Sequence, residues 1–168
     1  FYAKKAGGIK VKLSAADAAF PGAVDAAVLY KEYAAAAGIE IEVVREPNDG
    51  YWKNVWLKKP WGACYWGGRP TEDWMFSTTH YSGADWNDTH FKNEQFDKWL
   101  IEARAETNQN KRRQLYYEMQ KMVSDEGGTV VPMFANYVFA AHKNVQHGTM
   151  AGNWMMDGNK FHERWWFA

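Results

Sequence analysis

Alternating strand and helix patterns in the first third of the chain constrain the fold more than any other feature. "IKVKL" at residues 9–13 alternates apolar and charged residues, the two-residue period of a strand with one buried face. A helical pattern follows between Pro21 and Gly38, and "IEIEVV" at residues 39–44 alternates again. "DGYWKNVWLKKP" is typical of a second helix and "GACYW" of a third strand. The short connections predict a β-α-β-α-β unit with right-handed crossovers, and therefore an α/β fold with a parallel sheet.

The carboxyl ends of the predicted strands are where we expect a ligand, because open parallel sheets bind ligands in the crevice outside those ends. The first strand leads to Asp17, and the third continues into "WGGRP" at residues 66–70. Two adjacent glycines pack poorly in strands or helices, but they permit positive φ angles or a close approach of the backbone to a ligand. The predicted contacts at these ends are Tyr65, Trp66, Gly67, Gly68, Arg69 and Asp17.

A second loop also combines aromatic and polar side chains. Trp86 lies between Asp85 and Asn87, and apolar walls with a few oriented polar groups are typical of small-molecule pockets. We expect these three residues to contact the ligand, with Asn136 as a further candidate. Four other tryptophans are interpreted as core or docking residues: Trp99, Trp154, Trp165 and Trp166.

Apolar residues recur at helical spacing in two segments after residue 90. The polar stretch "ETNQNK" separates the two segments, which predicts an antiparallel helix pair. The residues on its predicted inner face are Phe96, Trp99, Leu100, Ala103, Leu115, Met119 and Met122. "GGTVVPMFANYVFAA" is expected to form one or two extended segments interrupted by Pro132. The final residues, rich in Trp and Phe, must dock on a core to avoid exposing a large apolar patch.

Composition and short motifs exclude several classes of function. Twenty basic and twenty acidic residues cancel, which argues against a nucleic-acid partner and against a polybasic membrane patch. The single cysteine, Cys64, excludes an intrachain disulfide, and the five histidines show neither HxH nor HxxxH spacing, so no metal site is expected. The chain has no nucleotide-binding glycine motif and no apolar run of membrane-spanning length. We expect no cofactor.

Several segments together resemble a known family. They are "KVKLSAADAAFPGAVDAAVLYKEYAAAAGIEIEVVREPNDGYW", "ACYWGGRPTEDWMFS", "NEQFDKWLIEARAE", "KRRQLYYEMQKMVSDEGGTVVPMFANYVFA" and the terminal "ERWWFA". In combination they are similar to the C-terminal portion of the periplasmic solute-binding proteins of ABC transporters, in the extracytoplasmic family 5 that carries peptides, nickel and opines. The resemblance covers nearly all of the 168 residues.

The resemblance implies a type II bilobal receptor that closes on its ligand by a hinge motion and delivers it to an ABC permease in the inner membrane. Residues 1–129 would form the second, C-terminal lobe, and residues 130–168, beginning with a strand, would return to the first lobe. The opening "FYAKKAGG" has no initiator Met and is typical of the last turn of a helix, so we expect this chain to lack the N-terminal lobe. The expected location is the bacterial periplasm, and the expected ligand is a peptide-like or other small polar solute.

The sequence differs from the family pattern at one place. Peptide-binding members carry an aspartate just after the strand that corresponds to "ACYWGG", where it anchors the peptide α-ammonium. This chain has Gly68 near that position and no acid before Glu72. A buried cation without its carboxylate is costly, which argues against a free peptide N-terminus as the bound group. Arg69 instead offers a planar fork suited to a carboxylate or a phosphate.

Two alternatives stay open from the sequence alone. A carbohydrate-active hydrolase would use tryptophan platforms and a carboxylate pair drawn from Glu72, Asp73, Asp85 and Asp88. An inactive proteolytic remnant is the other. Nothing in the sequence requires catalysis, so the favoured prediction is a binding protein that is not an enzyme.

Overall fold

The computed structural model describes residues 7–168 and divides into two compact units, Phe1–Trp66 and Gly67–Ala168. The helical turn predicted for residues 1–5 lies outside the described residues. No helix among residues 7–168 is both long and apolar enough to cross a membrane.

A parallel β-α-β arrangement forms the first unit, as the sequence predicts. Strands β1 (Ile9–Ala15) and β2 (Ile39–Arg45) pair in parallel, with Ile9 opposite Ile39 and Ala15 opposite Arg45. Helix α1 (Ala23–Ala36) connects the two strands. The predicted α/β fold with a parallel sheet is therefore confirmed.

The two faces of this sheet differ in the way that the alternating sequence indicates. Leu13 is buried in an apolar cluster that includes residues of α1. On the charged face, Lys10 pairs with Glu40 at 2.9 Å. Lys12 pairs with Glu42 at 3.2 Å, and all four side chains are exposed. Exposed ion pairs contribute at most about 1 kcal/mol each, so burial of the apolar face is the main source of stability.

The third predicted strand is reduced to one parallel bridge, between Ser14 of β1 and Gly62. The amide of Ser14 donates to the carbonyl of Trp61 at 3.1 Å, and the amide of Ala63 donates to the carbonyl of Ser14 at 2.8 Å. A Cβ on Gly62 would lie 3.3 Å from a methyl of Val55, so a larger residue here would press on that side chain. β1 consequently lies between β2 and this segment, and its carboxyl end is a topological switch point.

The second predicted helix is also shorter than expected. Helix α2 (Tyr51–Asn54) follows Gly50, whose φ is 72°, and the chain then continues in turns up to Lys59. Within these turns Leu57 adopts a φ of 58°, which is incompatible with a continuous helix.

Three helices build the second unit: α3 (Glu72–Thr79), α4 (Glu94–Ala105) and α5 (Gln109–Glu126). Each begins at a side-chain oxygen that accepts a backbone N–H of the first turn, as N-caps do. The capping residues are Thr71, Asn93 and Asn108.

The apolar core of the second unit lies among these helices. Helices α4 and α5 pack against each other across a three-residue connection, which confirms the predicted helix pair. The buried residues of the cluster are Phe76, Phe91, Phe96, Leu100, Ala103 and Met119. Three other residues of the predicted inner face, Trp99, Leu115 and Met122, pack against the cluster and are partly buried.

Residues 128–142 have neither helix nor strand, although the sequence predicts extended segments here. Their apolar side chains are exposed: Val130, Val131, Met133, Phe134, Tyr137, Val138 and Phe139. The predicted return of this stretch to another lobe stays a prediction.

The C-terminal tail is organised around one buried carboxylate. Strands β3 (Val145–His147) and β4 (Trp165–Phe167) pair antiparallel. Between them in sequence lie α6 (Met155–Asn159), a turn in which Met156, Asp157 and Gly158 have positive φ values, and the short helix α7 (Phe161–Arg164). Asp157 accepts a hydrogen bond from the amide of Ala151 at 2.6 Å and one from the indole of Trp165 at 3.1 Å. The Ala151 bond in particular lowers the pKa of Asp157. Much of the tail's aromatic surface, including Trp166 and Phe167, is nevertheless exposed among the described residues.

Candidate ligand-binding site

The carboxyl end of β1 is fixed by a buried tyrosine. The phenolic oxygen of Tyr51 lies 2.7 Å from the carbonyl oxygen of Ala63 and 3.2 Å from that of Ser14. Its hydroxyl thus joins the two neighbouring strand ends of the first unit. Burial raises the pKa of Tyr51 to about 12, so this hydroxyl keeps its proton and its donor role at neutral pH.

Polar side chains at the same edge are mostly engaged with the protein. Glu46 accepts hydrogen bonds from Ser14 at 2.8 Å and from Lys59, and the Lys59 bond is the main cause that lowers the pKa of Glu46. Asp17, a predicted contact, is exposed, with one carboxylate oxygen 3.5 Å from the amide of Val24 near the start of α1. Its role in binding stays a prediction.

Four aromatic rings follow one another beside this edge in the first unit. Trp52 contacts Tyr65 with ring centroids 5.8 Å apart and Trp56 with centroids 6.0 Å apart, both edge to face. Trp56 in turn contacts Trp66 at 6.2 Å. The predicted contacts Tyr65 and Trp66 therefore belong to one aromatic wall, which we define as Trp52, Trp56, Tyr65 and Trp66. Trp52 and Trp56 were not predicted as contacts from the sequence, although their spacing of four residues could have indicated a shared face.

The glycine loop opens the second unit and is bonded to its tail. Arg69 donates from Nη1 to the carbonyl of Gly67 at 2.7 Å, and its guanidinium carbon lies 5.6 Å from the ring centroid of Trp74. The indole of Trp154 donates to the carbonyl of Gly68 at 2.7 Å, and Trp154 meets Trp74 edge to face at 6.3 Å. Three predicted contacts are thus brought together with two tryptophans that were not predicted as contacts.

The glycines of this loop do not use the conformation that the sequence suggested. Neither Gly67 nor Gly68 has a positive φ angle, so the expectation that these glycines adopt one is wrong. A Cβ on Gly68 would meet no heavy atom within 4 Å, and one on Gly67 would meet only the Arg69 guanidinium at 3.5 Å. The open space beside the backbone fits the other predicted use of glycine, a close approach of a ligand.

The second predicted loop is held together by Asn87. The Asn87 side chain is buried, donates to the carbonyls of Tyr81 at 3.3 Å and Phe91 at 2.6 Å, and accepts from the amide of Phe91 at 3.1 Å. Asp85 and Trp86 are exposed. Asn87 therefore orders the loop, and ligand contact by any of these three residues stays a prediction. Asn136 is exposed within residues 128–142, and its contact with a ligand also stays a prediction.

One carboxylate of the hydrolase alternative, Asp73, is engaged in contacts within the protein. Asp73 accepts two hydrogen bonds from Arg104, each 3.0 Å long, and a third from the hydroxyl of Tyr116 at 3.3 Å. A carboxylate held in this way joins α3 to α4 and α5, which is a structural role. Among residues 7–168, no group of three or more His, Cys, Asp or Glu side chains is placed to hold a metal ion.

Comparison with solved structures shows which fold this is. The oligopeptide-binding protein AppA from Bacillus subtilis, solved with a nonapeptide, matches with a TM-score of 0.61 and 16% identity, over 95% of this chain and 32% of that one. NikZ from Campylobacter jejuni, solved with Ni(L-His), matches with a TM-score of 0.56 and 20% identity, over 68% and 24%. The chain has the fold of ABC-transporter solute-binding proteins. The periplasmic binding protein DppA from Helicobacter pylori, solved with the peptide STSA, adds a third match with a TM-score of 0.54 and 20% identity, over 74% and 26%.

The solute-binding-protein fold confirms the resemblance that the sequence segments indicated. The chain spans between 24% and 32% of the length of these three proteins. Two of them, AppA and DppA, are named as binding proteins, and NikZ was solved with Ni(L-His). No protein-family model and no curated protein matches the sequence.

Proposed function

We propose that the chain is part of the solute receptor of an ABC importer and captures a peptide-like or other small polar solute. The observation that carries the proposal is the shared fold with binding proteins that were solved with peptides and with Ni(L-His). The carboxyl edge of its parallel sheet, where such folds bind ligands, is aromatic and leads directly into the glycine loop. The proposed partner is a permease of the inner membrane, and the proposed location is the bacterial periplasm.

The proposed receptor has two lobes, of which this chain supplies the C-terminal one. Residues 1–129 belong to that lobe, and residues 130–168 return to an N-terminal lobe. The exposed apolar side chains of residues 130–139 support this division, because such a stretch normally packs against a partner. The matched proteins are about three times as long as this chain, which leaves room for the N-terminal lobe.

The proposed contacts of the solute are Tyr65, Trp66, Gly67, Gly68 and Arg69, with Asp17, Asp85, Trp86, Asn87 and Asn136 as outer candidates. Arg69 brings a positive charge to the glycine loop, and no acidic residue lies between Trp61 and Pro70. A carboxylate or phosphate on the solute satisfies this loop better than an α-ammonium does. The proposed solute therefore presents an anionic group here.

Calorimetric titration of the intact protein with short peptides, N-acetylated peptides and opines tests the proposal. We expect binding without turnover, and we expect Arg69→Ala to weaken an acidic ligand at least tenfold by removing its counter-charge. Tyr33→Ala is the matched control, since Tyr33 is an exposed aromatic on α1 outside the proposed contacts. Hydrolysis of a sugar or peptide by the pure protein, or no binding to any of these solutes, would overturn the receptor proposal.

A further inference from the structure

We propose that Trp52 and Tyr65 form a subsite for an aromatic side chain of the solute. The inference rests on the proposed receptor function and deepens it, because it names the ligand group that the aromatic wall selects. All the residues that carry it lie in the first unit.

The exposure of the wall sets it apart from an ordinary core cluster. Tyr51 is 1% exposed, whereas the neighbouring Trp52 is 39% exposed and Tyr65 is 63% exposed. Two large rings are thus left in contact with solvent at the carboxyl end of the parallel strands. Exposed aromatic surface next to a ligand edge is a common feature of binding sites.

The geometry of the two rings suits a third ring. Trp52 and Tyr65 meet at an interplanar angle of 75° with centroids 5.8 Å apart, so their ring planes form a corner. Aromatic rings prefer edge-to-face or offset contacts at centroid separations of about 4.5–7 Å. A ring entering this corner gains such a contact with at least one wall.

The corner is supported from both sides. Tyr51 fixes α2 to the strand ends through its hydroxyl, and the next residue in α2 is Trp52. Trp56, four residues later, contacts Trp52 on one side and Trp66 on the other. Trp52 is therefore held by ring contacts with Tyr51 and Trp56, and Tyr65 contacts Trp52. A preorganised wall loses little side-chain entropy on binding.

Charge distinguishes an aromatic ligand group from a cationic one, which aromatic walls also attract. The segment that carries the corner, residues 45–60, contains four basic and two acidic residues. The basic residues are Arg45, Lys53, Lys58 and Lys59, and one acid, Glu46, already pairs with Lys59. A segment with more basic than acidic residues disfavours a bound cation, so a neutral ring is the better occupant.

The test is calorimetric titration of the intact protein with N-acetylated tripeptides that differ only in the central residue: Ala, Leu, Phe or Lys. We expect the Phe peptide to bind roughly threefold to tenfold tighter than the Ala peptide, the range of one aromatic contact. Trp52→Ala should abolish this preference, so that the Phe and Ala peptides bind the variant with affinities within about twofold of each other. Trp52→Phe should retain part of the preference, which also guards against a loss of folding in the alanine variant, and Tyr33→Ala should change neither affinity.

The outcomes separate this inference from the receptor proposal. Binding of the peptides with equal affinities for Ala and Phe, or a preference that survives Trp52→Ala, overturns the subsite and leaves the receptor intact. Tightest binding of the Lys peptide also overturns it, in favour of a cation site. If neither the peptides nor the opines bind, the receptor proposal fails and the subsite fails with it.

Discussion

Two apolar regions of the second unit have similar composition and opposite environments. In the helix pair, Phe96 is fully buried and contacts Phe76 and Phe91 edge to face. In residues 130–139, Phe134 is 93% exposed. The helices bury their apolar faces within the same unit, whereas most apolar side chains of residues 130–139 stay exposed, although the ring of Phe139 lies 5.1 Å from that of Trp165. An apolar pattern in a sequence therefore predicts that a surface needs a partner. It does not predict where that partner lies.

The largest expected effect comes from emptying the centre of the helical core. Phe96→Ala should lower the free energy of unfolding by about 3–5 kcal/mol, the usual cost of a buried phenylalanine cavity. Phe134→Ala should change it by less than about 0.5 kcal/mol, because the side chain is exposed. Urea denaturation followed by circular dichroism measures both. Similar losses for the two variants would show that Phe134 is covered in solution, and the contrast between the regions would be lost.

A smaller effect is expected where polar groups join the helices. Asp73→Asn keeps the shape of the side chain but weakens its bonds with Arg104 and Tyr116. Because the Arg104 side chain is about half exposed, we expect a loss of about 1–2 kcal/mol, well below that of Phe96→Ala. Asp85→Asn in an exposed loop is the matched control and should be neutral in the same denaturation experiment. A neutral Asp73→Asn would show that packing alone holds the helices.

The strands and the helix pair were predictable because each depends on a local period. The alternation of "IKVKL" and "IEIEVV" follows from one buried face, and Phe96, Leu100 and Ala103 follow from the helical repeat. The reduction of the third strand to one bridge was not predictable from a local period, because the bridge joins Ser14 to the distant Gly62.

The surroundings of the glycine loop were equally hidden from the sequence. The bond from Trp154 to the Gly68 carbonyl joins residues 86 positions apart, and no local pattern encodes such a pair. Tyr65, Trp66 and Arg69 were identifiable as candidates from composition at a strand end. Trp74 and Trp154, which contact Arg69 and the Gly68 carbonyl, became identifiable only once the chain was folded.

Acid should lower the stability of the helical core through His80, and residues 130–139 take no part in this effect. His80 is buried among Phe76, Phe91 and Phe96, and this burial lowers its pKa below the ordinary value of 6.5, with Asp88 opposing the shift. The folded state therefore favours neutral His80, so its contribution is fully present above pH 6.5 and is lost as the pH falls below that value.

The measurement is the thermal midpoint between pH 7.5 and pH 5. We expect the wild-type midpoint to fall more steeply with acidification than that of His80→Gln, which cannot take up the proton. His142→Gln, at an exposed position, should keep the wild-type slope. Equal slopes for all three proteins would rule out His80 as the source of the acid sensitivity.

The smallest expected effect on stability is at Thr129, where the buried core meets the exposed stretch. The hydroxyl of Thr129 lies 3.3 Å from Nε2 of His80, and the next residue, Val130, is exposed. Thr129→Val should cost about 0.5–1 kcal/mol by removing this bond, whereas Val130→Ala should be nearly neutral. An equal loss for the two variants would extend the core into the exposed stretch.

The Tyr51 hydroxyl has a consequence for how the ligand edge responds to its surroundings. A phenol with a pKa of about 12 keeps its proton at neutral and acidic pH, so the contacts of this hydroxyl with the carbonyls of Ser14 and Ala63 do not titrate. A histidine at the same position would gain a charge in acid, and a carboxylate would lose one. Acid sensitivity at this edge falls instead on Glu46, whose pairing with Lys59 needs a charged carboxylate.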